Sequence, residues 1–160
     1  MRFIVDGMLG SLARWLRILG YETDYFGGAS DDFLLKMLGS VKGILLTKDE
    51  ELLNRARSAG FQAFLISGEK EEDRLRSFSA QLKLPLEVNI VLSRCPKCDG
   101  VLRTAGPTEI ARVPSGTLRH YTEFWVCASC GKMYWKGRHW KNINITLRKA
   151  KEPVDSGKTE

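Results

Sequence analysis

Apolar and polar positions follow two alternating rhythms along the first half of the chain. Residues 2–6 (Arg-Phe-Ile-Val-Asp) form a short apolar run, β-branched and aromatic, that ends in a carboxylate. This predicts a strand buried on both faces. From Met8 the rhythm changes: Leu9, Leu12, Ala13, Leu16 and Leu19 recur at helical spacing, and Gly20 stands where a C-terminal cap belongs. Residues 21–26 predict a second strand, followed by Gly27-Gly28. Ser30 is an N-cap ahead of Asp31 and Asp32, which open a helix ending near Gly39. Residues 43–47 predict a third buried strand. Residues 49–59 predict a helix, with Thr47 and Glu50 at capping-box spacing and Gly60 as its stop. A fourth strand over 61–66 and a fourth helix over 74–82 complete the pattern. Such strand–helix alternation predicts an α/β domain, a parallel sheet with helices on both faces.

Composition shifts near Pro85, where short β-like runs, turn residues and all four cysteines begin. The organisation expected is an α/β domain over 1–90, a metal ribbon over 91–150 and a polar, disordered tail over 151–160. No internal repeat interrupts this plan. The chain has 160 residues, 43% hydrophobic and 28% charged, which is ordinary for a globular protein. No run approaches the roughly 18 uncharged apolar residues of a membrane helix. A strand at the very start leaves no room for a cleavable signal peptide, so a cytoplasmic protein is expected.

Charge divides along the same boundary. Residues 1–90 carry 12 Lys/Arg against 13 Asp/Glu, a net of −1, while residues 91–160 carry 13 against 6, a net of +7. A basic module beside a carboxylate-rich one suggests a polyanionic partner, nucleic acid first, although basic surfaces also serve solubility alone.

Cys95-Pro-Lys-Cys98-Asp-Gly100 and Cys127-Ala-Ser-Cys130-Gly131 are two Cys-x-x-Cys turns. Cys95, Cys98, Cys127 and Cys130 would supply four soft ligands in tetrahedral array, a closed structural zinc site with no position left for catalysis. The spacing between the pairs, 28 residues, exceeds the usual 15–20 and implies an enlarged hairpin. Disulfides are disfavoured by a cytosolic setting, and a redox pair by the lack of a helix at either motif.

Around these turns Phe124, Trp125, Tyr134, Trp135 and Trp140 interleave with Lys132, Lys136, Arg138 and Lys141. Aromatics beside cations can stack bases and hold phosphates, or the rings can pack the small core of a ribbon while the cations face solvent or RNA. His139 fits either substrate contact or a packed or surface position.

Chemistry in a parallel α/β sheet gathers at the C-terminal ends of the strands. Reading those ends gives Asp6, then Asp31 and Asp32, then Asp49. Acids that converge there repel unless a cation lies between them, and hard oxygen ligands suit Mg²⁺ or Mn²⁺. Such an ion positions water for phosphodiester cleavage. Each acid also has a local explanation. Asp31, Asp32 and Asp49 lie in first helical turns, where acids are favoured in any case. Asp6, closing a buried strand, needs a partner.

These residues also carry a family resemblance. The run from Phe3-Ile-Val-Asp6 through Gly-Ser-Leu-Ala-Arg14-Trp-Leu-Arg17 to Tyr21 comes first, followed by Asp31-Asp32 and Leu45-Leu-Thr-Lys-Asp49. Cys-Pro-x-Cys and Cys130-Gly-Lys-Met-Tyr-Trp135-Lys-Gly-Arg-His139-Trp140 complete the set. Together, over residues 1–147, they resemble the Mut-seven C-terminal RNase domain family. The resemblance implies a shortened PIN-like fold followed by a zinc ribbon, and metal-dependent hydrolysis of RNA. It implies metal ligands at Asp6, at Asp31 or Asp32, and at Asp49. A fourth acid common in PIN domains has candidates only by position, between Glu69 and Asp73. Lys48 stands where the family more often has Arg, and Arg138 where it more often has Ser.

Arg14 and Arg17, three apart on the first helix, share a face close to the first strand's end. They are expected to hold a phosphate or to pair with neighbouring acids. The sequence therefore points to a ribonuclease with one or two Mg²⁺ or Mn²⁺ ions at the acids. Arg14, Arg17, Lys132, Lys136, Arg138, His139 and Lys141 are its candidate RNA contacts. The rival reading is a non-catalytic RNA-binding module with structural acids. A phosphatase with Asp6 as nucleophile lacks its Asp-x-Asp, because position 8 is Met8.

Overall fold

A computed structural model describes residues 1–153. Four parallel strands, β1 (Arg2–Val5), β2 (Glu22–Tyr25), β3 (Ile44–Thr47) and β4 (Ala63–Leu65), form one sheet in the order β2-β1-β3-β4. Phe3 lies opposite Thr23 on one side and Ile44 on the other. Because successive side chains point to opposite faces, apolar runs without alternation must be covered on both. Phe3, Val5 and Leu46 enter one core with α1 (Gly10–Ile18) and α4 (Glu71–Leu82). Ile4, Leu45 and Ala63 enter a second with α2 (Asp31–Ser40) and α3 (Glu50–Ser58). Phe3, Tyr21 and Phe78 pack edge to face, with centroids 5.4–5.9 Å apart. Fully burying a side chain such as Phe3 contributes about 1.5–3 kcal/mol.

The ribbon follows as three antiparallel strands, β5 (Leu102–Thr104), β6 (Trp125–Cys127) and β7 (Met133–Tyr134), in the order β5-β6-β7. The long spacer between the cysteine pairs holds two short helices, α5 (Pro107–Ile110) and α6 (Ser115–Leu118). It has its own small core of Ala105, Val113, Phe124 and Val126. Phe124 is thus a packing residue.

Residues 138–151, counted with the ribbon from sequence, form helix α7 (Arg138–Lys151), and its last turns return to the α/β module. Leu147 and Ala150 are buried in the same core as Phe3 and Phe78. The Arg76 guanidinium donates to the carbonyls of Lys149 at 2.8 Å and Glu152 at 3.1 Å. The composition of 138–151, rich in Lys and Asn, hid an apolar stripe that only the packing reveals. Of the tail expected to be disordered, Lys151 closes this helix, and residues 154–160 lie outside the described ones.

Candidate functional sites: a sheet edge, a thiol cluster and the cleft between them

In a 2-1-3-4 sheet the connections leave β1 and β3 in opposite directions, which opens a crevice at their C-terminal ends. Asp6 and Asp49 flank that crevice. The Thr47 hydroxyl, fully buried, donates to Asp6 Oδ2 at 2.9 Å and accepts from the Asp49 amide at 2.9 Å. Sequence spacing assigns the cap of α3 to Thr47. Asp49 is the cap instead, its Oδ1 accepting from the amides of Glu51 at 2.7 Å and Leu52 at 3.1 Å. Strand β3 runs through Thr47, so its side chain is spent on the sheet edge and the next free acceptor takes the cap. Among the described residues, Asp6 Oδ1 and Asp49 Oδ2 accept no hydrogen bond.

Asp31 and Asp32 open α2 behind the Ser30 cap. Both are drawn to Arg55 of α3: Asp31 Oδ2 lies 3.2 Å from the guanidinium, and Asp32 accepts a short bond from it. The hydrogen bond to Asp32, then its charge and that of Asp31, raise the Arg55 pKa. The acids thus share one edge of the sheet, each with a local partner. They do not come together as the cysteines do, the single group of three or more potential ligands found within 4.8 Å of one another among the described residues. Of the positions considered for a fourth acid, Glu71 accepts from the Trp15 indole at 2.9 Å and Asp73 pairs with Arg76 at 2.8 Å.

At the cysteine cluster, Cys95 and Cys130 Sγ lie 3.7 Å apart, Cys98 and Cys127 Sγ 3.5 Å. Thiolates tetrahedrally disposed at about 2.3 Å from zinc would be about 3.8 Å apart, so this donor set can hold a metal ion such as zinc. All four cysteines are free of disulfides. The residue after each second cysteine, Asp99 (φ 63°) and Gly131 (φ 72°), turns the chain through the left-handed region. Its amide then bonds the carbonyl of the first cysteine at 2.9 Å. Burial raises the Cys127 thiol pKa, but the backbone N–H groups of Cys130 and Ser129, together with the Cys98 and Cys130 thiols, lower it further and leave the group at about 6. The Tyr134 hydroxyl lies 3.0 Å from Cys95 Sγ. Burial first, and then Cys95, raise its pKa.

A match to the family model described as the Mut7-C RNAse domain runs over residues 1–147, across the sheet, both cysteine turns and most of α7. The chain belongs to the Mut7-C RNase domain family. Membership points to a nuclease, with RNA as its substrate. No curated protein and no solved structure matches the chain.

The Mut7-C chain carries a cleft of about 790 Å³ between α1, the ribbon and the start of α7. Arg14, Lys132, Lys136, Arg138 and His139 line it, whereas Lys141 does not. Arg17, read from sequence as a partner of Arg14 at a phosphate, has a different post. It is buried, and its guanidinium donates to the Thr23 carbonyl at 2.9 and 3.2 Å and to the Pro96 carbonyl at 3.1 Å, with Asp99 at 3.7 Å. A helix turns about 100° per residue, so three positions carry a side chain about 60° around the barrel. For Arg17 that rotation is enough to point it at β2 and the first cysteine turn instead of the cleft. Its fork of donors satisfies carbonyls of both modules at once. The cleft itself was not legible from sequence, because its walls lie far apart along the chain. The clue available was that aromatics and cations concentrate together at 132–141.

Proposed function

We propose that this protein is a Mg²⁺- or Mn²⁺-dependent ribonuclease of PIN-like fold whose basic zinc ribbon holds the RNA. The observation that carries the reading is the Thr47 hydroxyl at the β1/β3 crevice, which donates to the Asp6 carboxylate and accepts from the Asp49 backbone amide, tying both residues to one edge of the sheet. Each keeps one oxygen without a donor among the described residues, as a metal ligand would. Asp31, at the start of α2 and paired with Arg55, is the third acid of the reading, with Asp32 beside it and further exposed. A divalent ion held by Asp6, Asp49 and Asp31 would act as a Lewis acid towards a phosphodiester and lower the pKa of a bound water. Asp6, held by the Thr47 hydroxyl, and Asp49 would each offer a carboxylate oxygen to such an ion, and Asp31 would have to exchange its pairing with Arg55 for it. Cys95, Cys98, Cys127 and Cys130 hold structural zinc, and the cations around them attract the polyanion. Thiolate zinc sites suit a reducing compartment, and the reading places the protein in the cytoplasm.

A second reading has its own support: Asp49 is a working cap, and Asp31 and Asp32 are ion-paired. In that case the protein is a non-catalytic RNA-binding module. Labelled RNA incubated with Mn²⁺ or Mg²⁺ separates the two. Cleavage that requires the ion and disappears in Asp6→Asn supports the ribonuclease; no cleavage by either protein favours the binding module, and equal cleavage by both overturns the role given to Asp6.

A further inference from the structure

We infer that the cleft between α1 and the ribbon is a binding site for single-stranded RNA that feeds the Asp6 edge. The inference rests on RNA being the substrate and adds the site, the strandedness and the route.

Its walls combine two chemistries. Arg14 from α1 faces Lys132, Lys136 and Arg138 from the ribbon and the start of α7. The acid in the lining, Glu71, is engaged by the Trp15 indole. The cleft therefore complements a chain of phosphates. Trp125, Trp135 and Trp140 lie among these cations. Lys136 Nζ stands 5.5 Å from the Trp125 ring and 5.6 Å from the Trp140 ring, a positive charge between two indoles, with the exposed Glu123 carboxylate 3.8 Å away as a surface pair that a phosphate would displace.

Trp135 is the ring set out for stacking. It is 38% exposed although it packs against Phe124 with centroids 6.2 Å apart. Its indole nitrogen approaches Gly137 so closely that a Cβ there would lie 2.8 Å away. A large apolar ring thus stays at the surface in a fixed position, ordered before any ligand arrives. Bases of a single strand offer free faces to such a ring, whereas those of a duplex are stacked on one another. The occupant is therefore a single strand.

Topology gives the route. Ser11 and Glu71, both in the cleft wall, sit in the first turns of α1 and α4. Those helices begin where β1 and β4 end, at the edge that carries Asp6 and Asp49. A strand lying in the cleft thus reaches the carboxylates along α1.

The test is equilibrium binding by the full-length, zinc-loaded chain without added divalent ions. Tryptophan quenching and the anisotropy of a labelled oligouridine are read against a hairpin duplex of the same length. Trp135→Ala is expected to weaken single-strand binding about 5- to 150-fold, the range of one lost base stack. Trp135→Phe, which keeps a stacking face, should recover most of that loss. Arg14→Ala, an exposed change that leaves the fold alone, should lower the salt slope by about 0.7, and Lys42→Ala, at the opposite edge of the sheet, should not. Equal affinity for the duplex, or wild-type binding by both Trp135→Ala and Arg14→Ala, overturns the inference. Should the strand bind through Trp135 and Arg14 yet never be cut in Mn²⁺, the inference stands and the ribonuclease reading alone fails. Cleavage of RNA whose binding ignores both residues has the opposite meaning.

Discussion

The ribbon and the sheet edge both collect residue types that can ligate metals, and they do so in opposite ways. In the ribbon four thiols from two turns meet within 4.8 Å, with backbone amides and one phenol as their other partners. At the edge each carboxylate serves its own element first: Asp49 caps α3, Asp31 and Asp32 hold Arg55, and Asp6 takes the Thr47 hydroxyl. The contrast follows from the ligands. A thiol is a weak hydrogen-bond group with little local use, whereas a carboxylate oxygen is among the best cap acceptors. Converging cysteines therefore declare a site by themselves. Converging acids must be separated from their structural duties by experiment.

The sharpest break between the two regions is all-or-none. Cys127→Ser, at a buried ligand, should reduce zinc from one per chain to none and unfold the ribbon. Elemental analysis and circular dichroism read both, and metal-free wild-type protein purified under reducing conditions would refute the zinc assignment. At the sheet edge the effect should be on rate and not on shape. Asp6→Asn can still accept from Thr47, so cleavage in Mn²⁺ should fall by about two to three orders of magnitude with little change in melting temperature.

Much of this contrast was legible in the sequence, for reasons that differ by element. Unbroken apolar runs such as 43–47 can only be strands buried on both sides, and Cys-x-x-Cys pairs have few alternative uses. The cap of α3 was ambiguous because Thr47 and Asp49 both fit the position. Strand order, invisible in sequence, sets β3 beside β1 and so decides that Thr47 meets Asp6. Arg17 lands away from the phosphate cleft because helical spacing gives a face but not its neighbour. The return of α7 was hidden because its buried positions, Leu147 and Ala150, are few among polar residues.

Smaller effects sharpen the comparison. Charge reversal at Lys132, Lys136 and Arg138 should flatten the salt dependence of RNA binding, by about 0.7 in slope for each phosphate no longer neutralised. Lys141→Glu, outside the cleft, should change the slope less; an equal change would mean that the ribbon binds as an undifferentiated basic surface. Asp49 separates cap from ligand: Asn caps as well as Asp, so Asp49→Asn should lose cleavage but keep stability, while Asp49→Ala should also cost about 0.5–2 kcal/mol in denaturant unfolding. The smallest effect is expected at Asp32, whose pairing with Arg55 is at the surface. Asp32→Asn should leave the denaturant midpoint almost unchanged, because a surface ion pair contributes little, and a cleavage defect as deep as that of Asp31→Asn would show that both acids serve a bound ion.

The return of α7 to the core has a consequence for how such a protein is altered or inherited. Residues 94–137 leave the α/β module beside α1, where Ser93 Oγ donates to the Ile18 carbonyl at 2.6 Å and the Arg94 amide to that of Arg17 at 2.8 Å. They come back to it through α7. Topologically the ribbon is an insertion with both ends anchored, not an appended tail. Closing a loop costs only about 0.6 kcal/mol more for each doubling of its length, so cassettes of different size or binding chemistry can occupy the same position while the α/β module stays whole. Cutting the chain at residue 90 removes the helix that covers Phe78. A bridge joining 94 to 138 keeps it, and is the natural way to exchange the ribbon for another module.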